Sequence, residues 1–397
     1  VDELVHEIHS SEIRGLDECP QEWAWEYRDG WEPIRTPKPL EFGRAWHLAL
    51  KEVYDPHVWR QRTKQQLLDD AWEVFQQECN VQIDEYLGRL GKIVLDAQDA
   101  EDYAERRRLG RNMLVNVVRS LDFELFTPIV VEQEYQVELN LRCRCMRCWQ
   151  KYMDRYEPLL EKIVASKAVQ SGRVSVAPPH EWRGLPVVFG CRIDAIFEDP
   201  VGSLWLVDHK SAAQLLSYED IDYLQQDTQL GMYLWAAWQL DIQVCGAIYN
   251  QFRKTYPKPP KLLQGGGYSV NKLQLTDYYT ALRTFKKDKV GFRQGRYDAY
   301  LYWLQQEGKE YFRQFKIFKT PAQIDVIGRE LMQATHEILY MDPDNVRPHP
   351  NLMRCGRCAF LSPCLAKRAG HDFQGELGAG FVQTPPWYEV ERKRQRQ

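Results

Sequence analysis

Two short apolar runs, residues 187–197 and 204–210, flank a turn at Pro200-Val201-Gly202 and carry two aspartates and a lysine in a fixed relation. The first run contains Gly190-Cys191-Arg192-Ile193-Asp194, the second Leu206-Val207-Asp208-His209-Lys210. Read as strands, they present alternate side chains to opposite faces, so Asp208 and Lys210 share a face and the hairpin can bring Asp194 beside them. Two carboxylates converging on one point form a hard-oxygen site suited to Mg²⁺ or Mn²⁺. A lysine beside them is placed to orient or deprotonate an attacking water and to offset charge on a phosphate. The same local pattern also occurs on surface hairpins whose Asp and Lys form only exposed pairs, so the surrounding chain has to decide.

That surrounding chain reads as mixed α/β. Helical periodicity starts at residues 40–54 and continues through 56–122, where Leu68, Ala71, Trp72 and Phe75 recur on one face. From residue 129 the period becomes two: Ile129, Val131, Tyr135 and Val137 alternate with Glu132, Glu134, Gln136 and Glu138, a half-buried strand with one acidic face. A helix over 218–240 and a strand over 244–249 follow the hairpin, the order of a sheet with a crossover helix. Residues 253–272, with Pro257, Pro259, Pro260 and Gly265–Gly267, predict an irregular arm, and helix continues to about residue 341. No apolar run is long enough to span a bilayer and no signal segment is seen, so a cytoplasmic protein is expected.

Other positions add chemistry. Gln229 and Tyr233 stand four apart and share a helix face, from which an amide and a phenol can reach a phosphate or Lys210; Tyr233 in the core and Gln229 in solvent would be the plainer arrangement. His47, flanked by Trp46 and Leu48, is either a core histidine or a metal ligand, and an imidazole beside two carboxylates leans a site toward Mn²⁺. Of the 10 cysteines, six fall in two groups, Cys143/Cys145/Cys148 and Cys355/Cys358/Cys364, which in a cytosolic chain points to metal or cluster chemistry more than to disulfides. The first group fits a small zinc site completed by His180 or Cys191, or unbonded thiols. The second needs a fourth ligand, for which Cys19 in Glu18-Cys19-Pro20 is the best candidate. Four thiolates suit a [4Fe–4S] cluster or tetrahedral Zn²⁺.

The net charge of −4 rules out a polycation that coats nucleic acid everywhere, so DNA binding has to come from local basic surface. Such a surface is expected from Arg253 and Lys254 through Lys286, Lys287 and Lys289, with Tyr256, Tyr268, Phe285 and Phe292 interleaved for base stacking.

An Asp ending one strand and Asp-x-Lys on the next resembles the motif of PD-(D/E)XK nucleases. Gly43-Arg44-Ala45-Trp46-His47 and Gln229-Leu230-Gly231-Met232-Tyr233 resemble the Gly-x-x-x-His and Gln-Leu-x-x-Tyr helices of the RecB-like branch. Cys19 with Cys355, Cys358 and Cys364 resembles the iron–sulfur subgroup, which includes AddB-type repair subunits and CRISPR-adaptation nucleases. The resemblance covers residues 15–55, 129–138, 187–250 and 350–366. It implies a restriction-endonuclease-like α/β core with helical insertions, and a [4Fe–4S] cluster joining the N- and C-terminal segments, in preference to zinc. It also implies a metal held by His47, Asp194 and Asp208, joined by the His209 carbonyl, with Lys210 activating water and Gln229 and Tyr233 assisting. The expected activity is metal-dependent hydrolysis of DNA by an exonuclease acting on single strands or ends, in recombination, repair or CRISPR-type processing. A single nuclease domain is expected over 1–370, with a helical insertion at 56–122, a cysteine-containing insertion at 140–183, the basic arm and helices at 253–320, the cluster segment at 350–366 and a flexible basic tail at 371–397. The alternatives are a nuclease-fold DNA-binding protein that no longer cuts and a zinc-bearing interaction protein; intact Asp194, Asp208 and Lys210 speak against the first, and the two helix motifs against the second.

Overall fold

The computed structural model describes residues 6–139, 187–308, 310–342 and 345–384. In chain order its main elements are β1 (His6–His9), α1 (Ser10–Glu18), β2 (Trp31–Pro33), α2 (Lys38–Val53), α3 (Lys64–Leu90), α4 (Ala97–Ser120), β3 (Thr127–Glu138), β4 (Val187–Glu198), β5 (Leu204–Ala212), α5 (Thr228–Gln239) and β6 (Val244–Arg253). These are followed by α6 (Tyr278–Phe285), α7 (Lys289–Arg293), α8 (Asp298–Glu307), β7 (Phe312–Ile317), α9 (Pro321–Tyr340), α10 (Leu361–Ala369), α11 (Phe373–Gly380) and β8 (Phe381–Gln383).

Capping chemistry sets several helix starts. Thr63 and Gln66 close a capping box on α3, and Thr320, Gln323 and Pro321 do the same for α9. The expected helix over 218–240 is broken: Asp227 takes the Leu230 N–H and starts α5 there, and short helical turns occupy 218–224. Continuous helix to residue 341 is also corrected, because β7 interrupts it, with Phe315 and Ile317 alternating into the core. Ahead of the helical periodicity that starts at residue 40, the chain also forms β1, α1 and β2.

A six-stranded sheet runs β1-β4-β5-β6-β7, with β3 on the far side of β4. β5 and β6 are parallel and joined through α5, and β7 returns antiparallel to β6. One sheet face packs Phe189, Ile193, Leu206 and Ala247 against α1, α5 and α9; the other packs Ala195, Phe197, Trp205, Val207 and Ile248 against α2, α3 and α4. A buried polar network fixes the second layer. Arg106 on α4 pairs with Glu41 on α2 and donates to Gln82 on α3 at 3.0 Å, while Tyr103 donates to Glu41 at 3.2 Å. Every member is satisfied, which buried charge requires. Residues 254–308 make a satellite unit with its own core, in which Phe285 stacks on Tyr297 at 4.0 Å.

Segments near the start and the close of the described chain meet. β2 pairs antiparallel with β8, and Trp25 packs with Phe360, Leu377 and Phe381. The expectation of a flexible stretch from His371 does not hold for residues 373–383, which form α11 and β8. Residues 385–397, with the basic Arg392–Arg396 run, lie outside the described residues, as do Cys143, Cys145, Cys148 and His180. Among the described residues, no helix is long and apolar enough to cross a membrane.

Candidate metal centre and active site

The site forms where the sheet forks. β3 pairs with nearly the whole of β4 on one edge. The other edge is shared: β1 takes Val187–Gly190 in parallel, and β5 takes Ala195–Glu198 antiparallel. Between them, among the described residues, Cys191, Arg192, Ile193 and Asp194 have no strand on that edge. β1 approaches so closely that a Cβ on Gly190 would collide with the side chains of Glu7 and His9, which accounts for a glycine at that point. β5 leaves β4 beyond Val207, and there the His209 N–H is taken by the Asp194 carboxylate, Oδ2 at 2.7 Å, in place of a backbone partner.

Both strands change facing at this level. Phe189, Cys191 and Ile193 point to the α1/α5/α9 core, yet Ala195 and Phe197 point to the other. On β3, Tyr135 and Val137 face the first core and Val131 the second. The switch falls at Glu132, whose φ of 48° is left-handed, unusual for a side chain of this kind in a strand. Register places Glu132 opposite Asp194, since Val131 pairs with Ala195 and Gln133 with Ile193. The single acidic face expected for this strand is therefore broken, and Glu132 turns into the site. Strain of this sort persists where surrounding structure holds it, often at functional sites.

His47 arrives from α2. Its Nδ1 lies 3.2 Å from Glu132 Oε1 and 3.5 Å from Asp194 Oδ1. Among the described residues, His47, Glu132 and Asp194 form a group whose ligand atoms all lie within 4.8 Å of one another. Asp208 stands outside that trio. Its Oδ1 accepts from Lys210 Nζ at 2.7 Å, and its buried Oδ2 has no hydrogen-bond partner among the described residues. Gln229 Nε2 donates to the Tyr233 hydroxyl at 2.9 Å on the same groove wall as Lys210. The His209 ring turns away into the second core, stacked on Tyr54 at 5.2 Å and bonded to Asn250, so only its backbone faces the site. The groove measures about 770 Å³.

Electrostatics suit a cation. Burial pushes the Asp194 carboxyl up, partly offset by His47. Burial also opposes charge on His47, but Asp194 and Glu132 outweigh it and raise its pKa. Lys210 is half-buried, which opposes its charge, yet the carboxylates of Asp208 and Asp194 outweigh this and raise its pKa. A buried, unpartnered carboxylate oxygen on Asp208 beside two further carboxylates and an imidazole is a donor set that fits Mg²⁺ or Mn²⁺.

Residues 10–365 match the sequence profile of the PD-(D/E)XK nuclease superfamily. The chain belongs to that superfamily. PD-(D/E)XK proteins are generally nucleases that use Mg²⁺ or Mn²⁺, and the mixed sheet flanked by helices is consistent with their core. At this level the chain is a metal-dependent nuclease with DNA as the implied substrate. No curated protein matches the sequence.

His47, Asp194, Lys210, Gln229 and Tyr233 line one groove, Asp208 pairs with Lys210 outside the His47–Glu132–Asp194 trio, and Glu132 is a site residue that the sequence reading did not single out. The structure also brings Cys19 to the distant cysteines. Burial raises the Cys358 and Cys364 thiols, with Cys19 among the neighbouring groups that add to it. Burial pushes the Cys358 thiol up to about 12, with the Glu22 carboxylate adding to it. Arg354 binds Glu18 and Glu22 across the gap, and Lys367 donates to Gln21 at 2.8 Å. In the satellite unit Lys286, Lys287 and Lys289 are exposed, but Phe285 is fully buried and Tyr268 and Phe292 pack on the same core. The stacking role expected of these aromatics is thus corrected: Phe285 is core, and the exposed rings are Tyr279 and Tyr302. Arg253 and Lys254 are built into the wall beside Ala212, with Lys254 Nζ over the Phe42 ring at 5.2 Å.

Proposed function

We propose that this protein is a RecB-like deoxyribonuclease that hydrolyses single-stranded DNA or DNA ends, and that it carries a Cys₄-bound iron–sulfur cluster. The observation that carries the first part is the convergence of His47, Glu132 and Asp194 beside the Asp208–Lys210 pair. In this reading His47, Glu132, Asp194 and Asp208 hold the cation, with the His209 carbonyl available to it. The bound ion supplies Lewis-acid polarisation of the phosphate and an acidified water.

The remaining work belongs to the chain. Lys210, kept cationic by two carboxylates, stabilises the charge that builds on the phosphate oxygens and orients the attacking water. Tyr233 and Gln229, locked to each other, line the same wall and position the phosphate or the lysine. Water adds to phosphorus, the ester P–O bond breaks, and the leaving oxygen takes up a proton. Arg253 and Lys254 at the end of β6 and the exposed Lys286, Lys287 and Lys289 supply the strand with backbone contacts.

The cluster reading draws on the meeting of Cys19 with Cys355, Cys358 and Cys364. Four thiolates suit a [4Fe–4S] cluster as well as tetrahedral Zn²⁺, and the resemblance is what favours iron. The resemblance to iron–sulfur RecB-like nucleases supports a cytoplasmic role in recombination, repair or CRISPR-type DNA processing.

The deciding experiment is digestion of 5′- and 3′-labelled single- and double-stranded DNA with Mg²⁺ or Mn²⁺, against a chelator control. Metal-dependent shortening of single strands or from ends is expected. Intact DNA in every lane would overturn the reading.

A further inference from the structure

We infer that Arg192 binds a phosphate of the substrate one backbone step away from the scissile one, and so fixes how the strand threads the groove. This rests on the nuclease reading of the His47–Glu132–Asp194 site.

Arg192 lies on β4 two residues before Asp194, about 7 Å along the strand, on the stretch that neither β1 nor β5 covers. Both residues line the same groove. A displacement of that size is on the order of one backbone step of an extended nucleic-acid strand. Among the residues lining the groove, Arg192 and Lys210 are the two permanent cations. Lys210 is committed to Asp208 at 2.7 Å and is two-thirds covered, with 33% of its side chain exposed. Arg192 is 60% exposed and held only loosely, at 3.3 Å by Glu132 and 3.9 Å by Glu134. Its fork of donors is therefore the one still open to a phosphate, and its planar geometry matches that ligand.

Stability does not account for the placement, because so exposed an ion pair contributes little to folding. The identity of its nearer partner does. Glu132 cannot give its charge in full to both Arg192 and a divalent cation, so the metal-loaded protein holds the guanidinium less firmly than the metal-free one. The wall beside it adds polar donors, Ser10 and Ser11 from the first turn of α1 and the Tyr27 hydroxyl. The carboxylates of Glu7 and Glu134 also stand there, so without Arg192 a phosphate would meet net repulsion. The inference makes DNA affinity dependent on metal through one residue that is not itself a ligand.

The test is fluorescence anisotropy of a labelled single-stranded oligonucleotide at several salt concentrations, with Ca²⁺ or with chelator, for wild type, Arg192→Ala, Arg192→Gln and Arg192→Lys. With Ca²⁺, the Ala and Gln variants should bind several-fold more weakly, and the slope of log affinity against log salt should flatten by about 0.7, one phosphate contact on a single strand. Lys should recover part of the affinity. In cleavage assays KM should rise several-fold while kcat stays within about twofold. Unchanged slope and KM in a folded Ala or Gln variant, with only metal affinity altered, would reduce Arg192 to a charge partner of Glu132. Wild-type protein that binds with the expected slope but never cuts would remove the nuclease reading and leave the phosphate contact standing; wild-type protein that does not bind DNA at all would overturn both.

Discussion

Lys210 and Asp208 are joined by one ion pair but differ in what their loss should do. Lys210→Ala removes a charge stabiliser and leaves His47, Glu132 and Asp194 in place, so metal binding should persist while cleavage falls a hundredfold or more, about 3 kcal/mol of transition-state stabilisation. Asp208→Ala also removes the buried oxygen that has no protein partner, so metal affinity should fall together with rate. Calorimetric metal titration beside a nuclease assay separates the two, and full cutting by Lys210→Ala would place the chemistry elsewhere. The proton inventory gives a second expectation. Asp194 and His47 both hold their protons to higher pH than usual, so a metal has to displace protons there, and its affinity should rise as pH increases from about 6 to about 8. Titrations in two buffers of different ionisation heat should show proton release; a pH-independent affinity would contradict the ligand set. Most of these residues were legible because they sit in short motifs. Glu132 was not, since its role depends on a left-handed backbone and on a register set across the distance from β3 to β4, neither of which local alternation encodes.

At the scale of elements, the strands that carry the chemistry were readable from their period and the ones that frame it were not. β1 is four residues long and β7 six, too short for alternation to stand out beside strong helical neighbours. Yet β1 defines one arm of the fork, and β7 completes the sheet beside β6. The satellite unit shows the reverse error, in which a composition suited to stacking bases proved to be a small core. Its exposed lysines remain free to meet DNA. Replacing Lys286, Lys287 and Lys289 together by Ala should weaken single-strand binding and flatten its salt dependence by about two units, at about 0.7 per contact, while turnover at saturating DNA changes little. An unaltered salt slope would direct the DNA path away from this face.

Residues 18–33 are tied to residues 354–383 by three kinds of contact: the β2–β8 pair, the aromatic cluster of Trp25, Phe360 and Phe381, and the Arg354 bridge to Glu18 and Glu22. The four cysteines lie in that closure. Protein purified without oxygen should be brown with about four irons per chain, and Cys19→Ala should speed proteolysis of residues 352–384 as well as bleach the colour. Colourless protein with stoichiometric zinc would replace iron and keep the site; an unchanged C-terminal digestion pattern would sever Cys19 from it. The cysteine resemblance suggested that these two segments belong together, whereas the strand pair and the aromatic cluster were not readable, because short polar segments reveal nothing of partners so far away. The pairing of β1 with β4 carries a cost in time. A ribosome adding about 5–20 residues each second finishes His6–His9 roughly ten to forty seconds before Val187–Gly190 exists, and Trp25 waits longer still for Phe360 and Phe381. Through that interval the first strand has a bare edge and the first aromatic patch is wet, so the emerging N-terminus is where this chain most needs shielding from its neighbours in the cell.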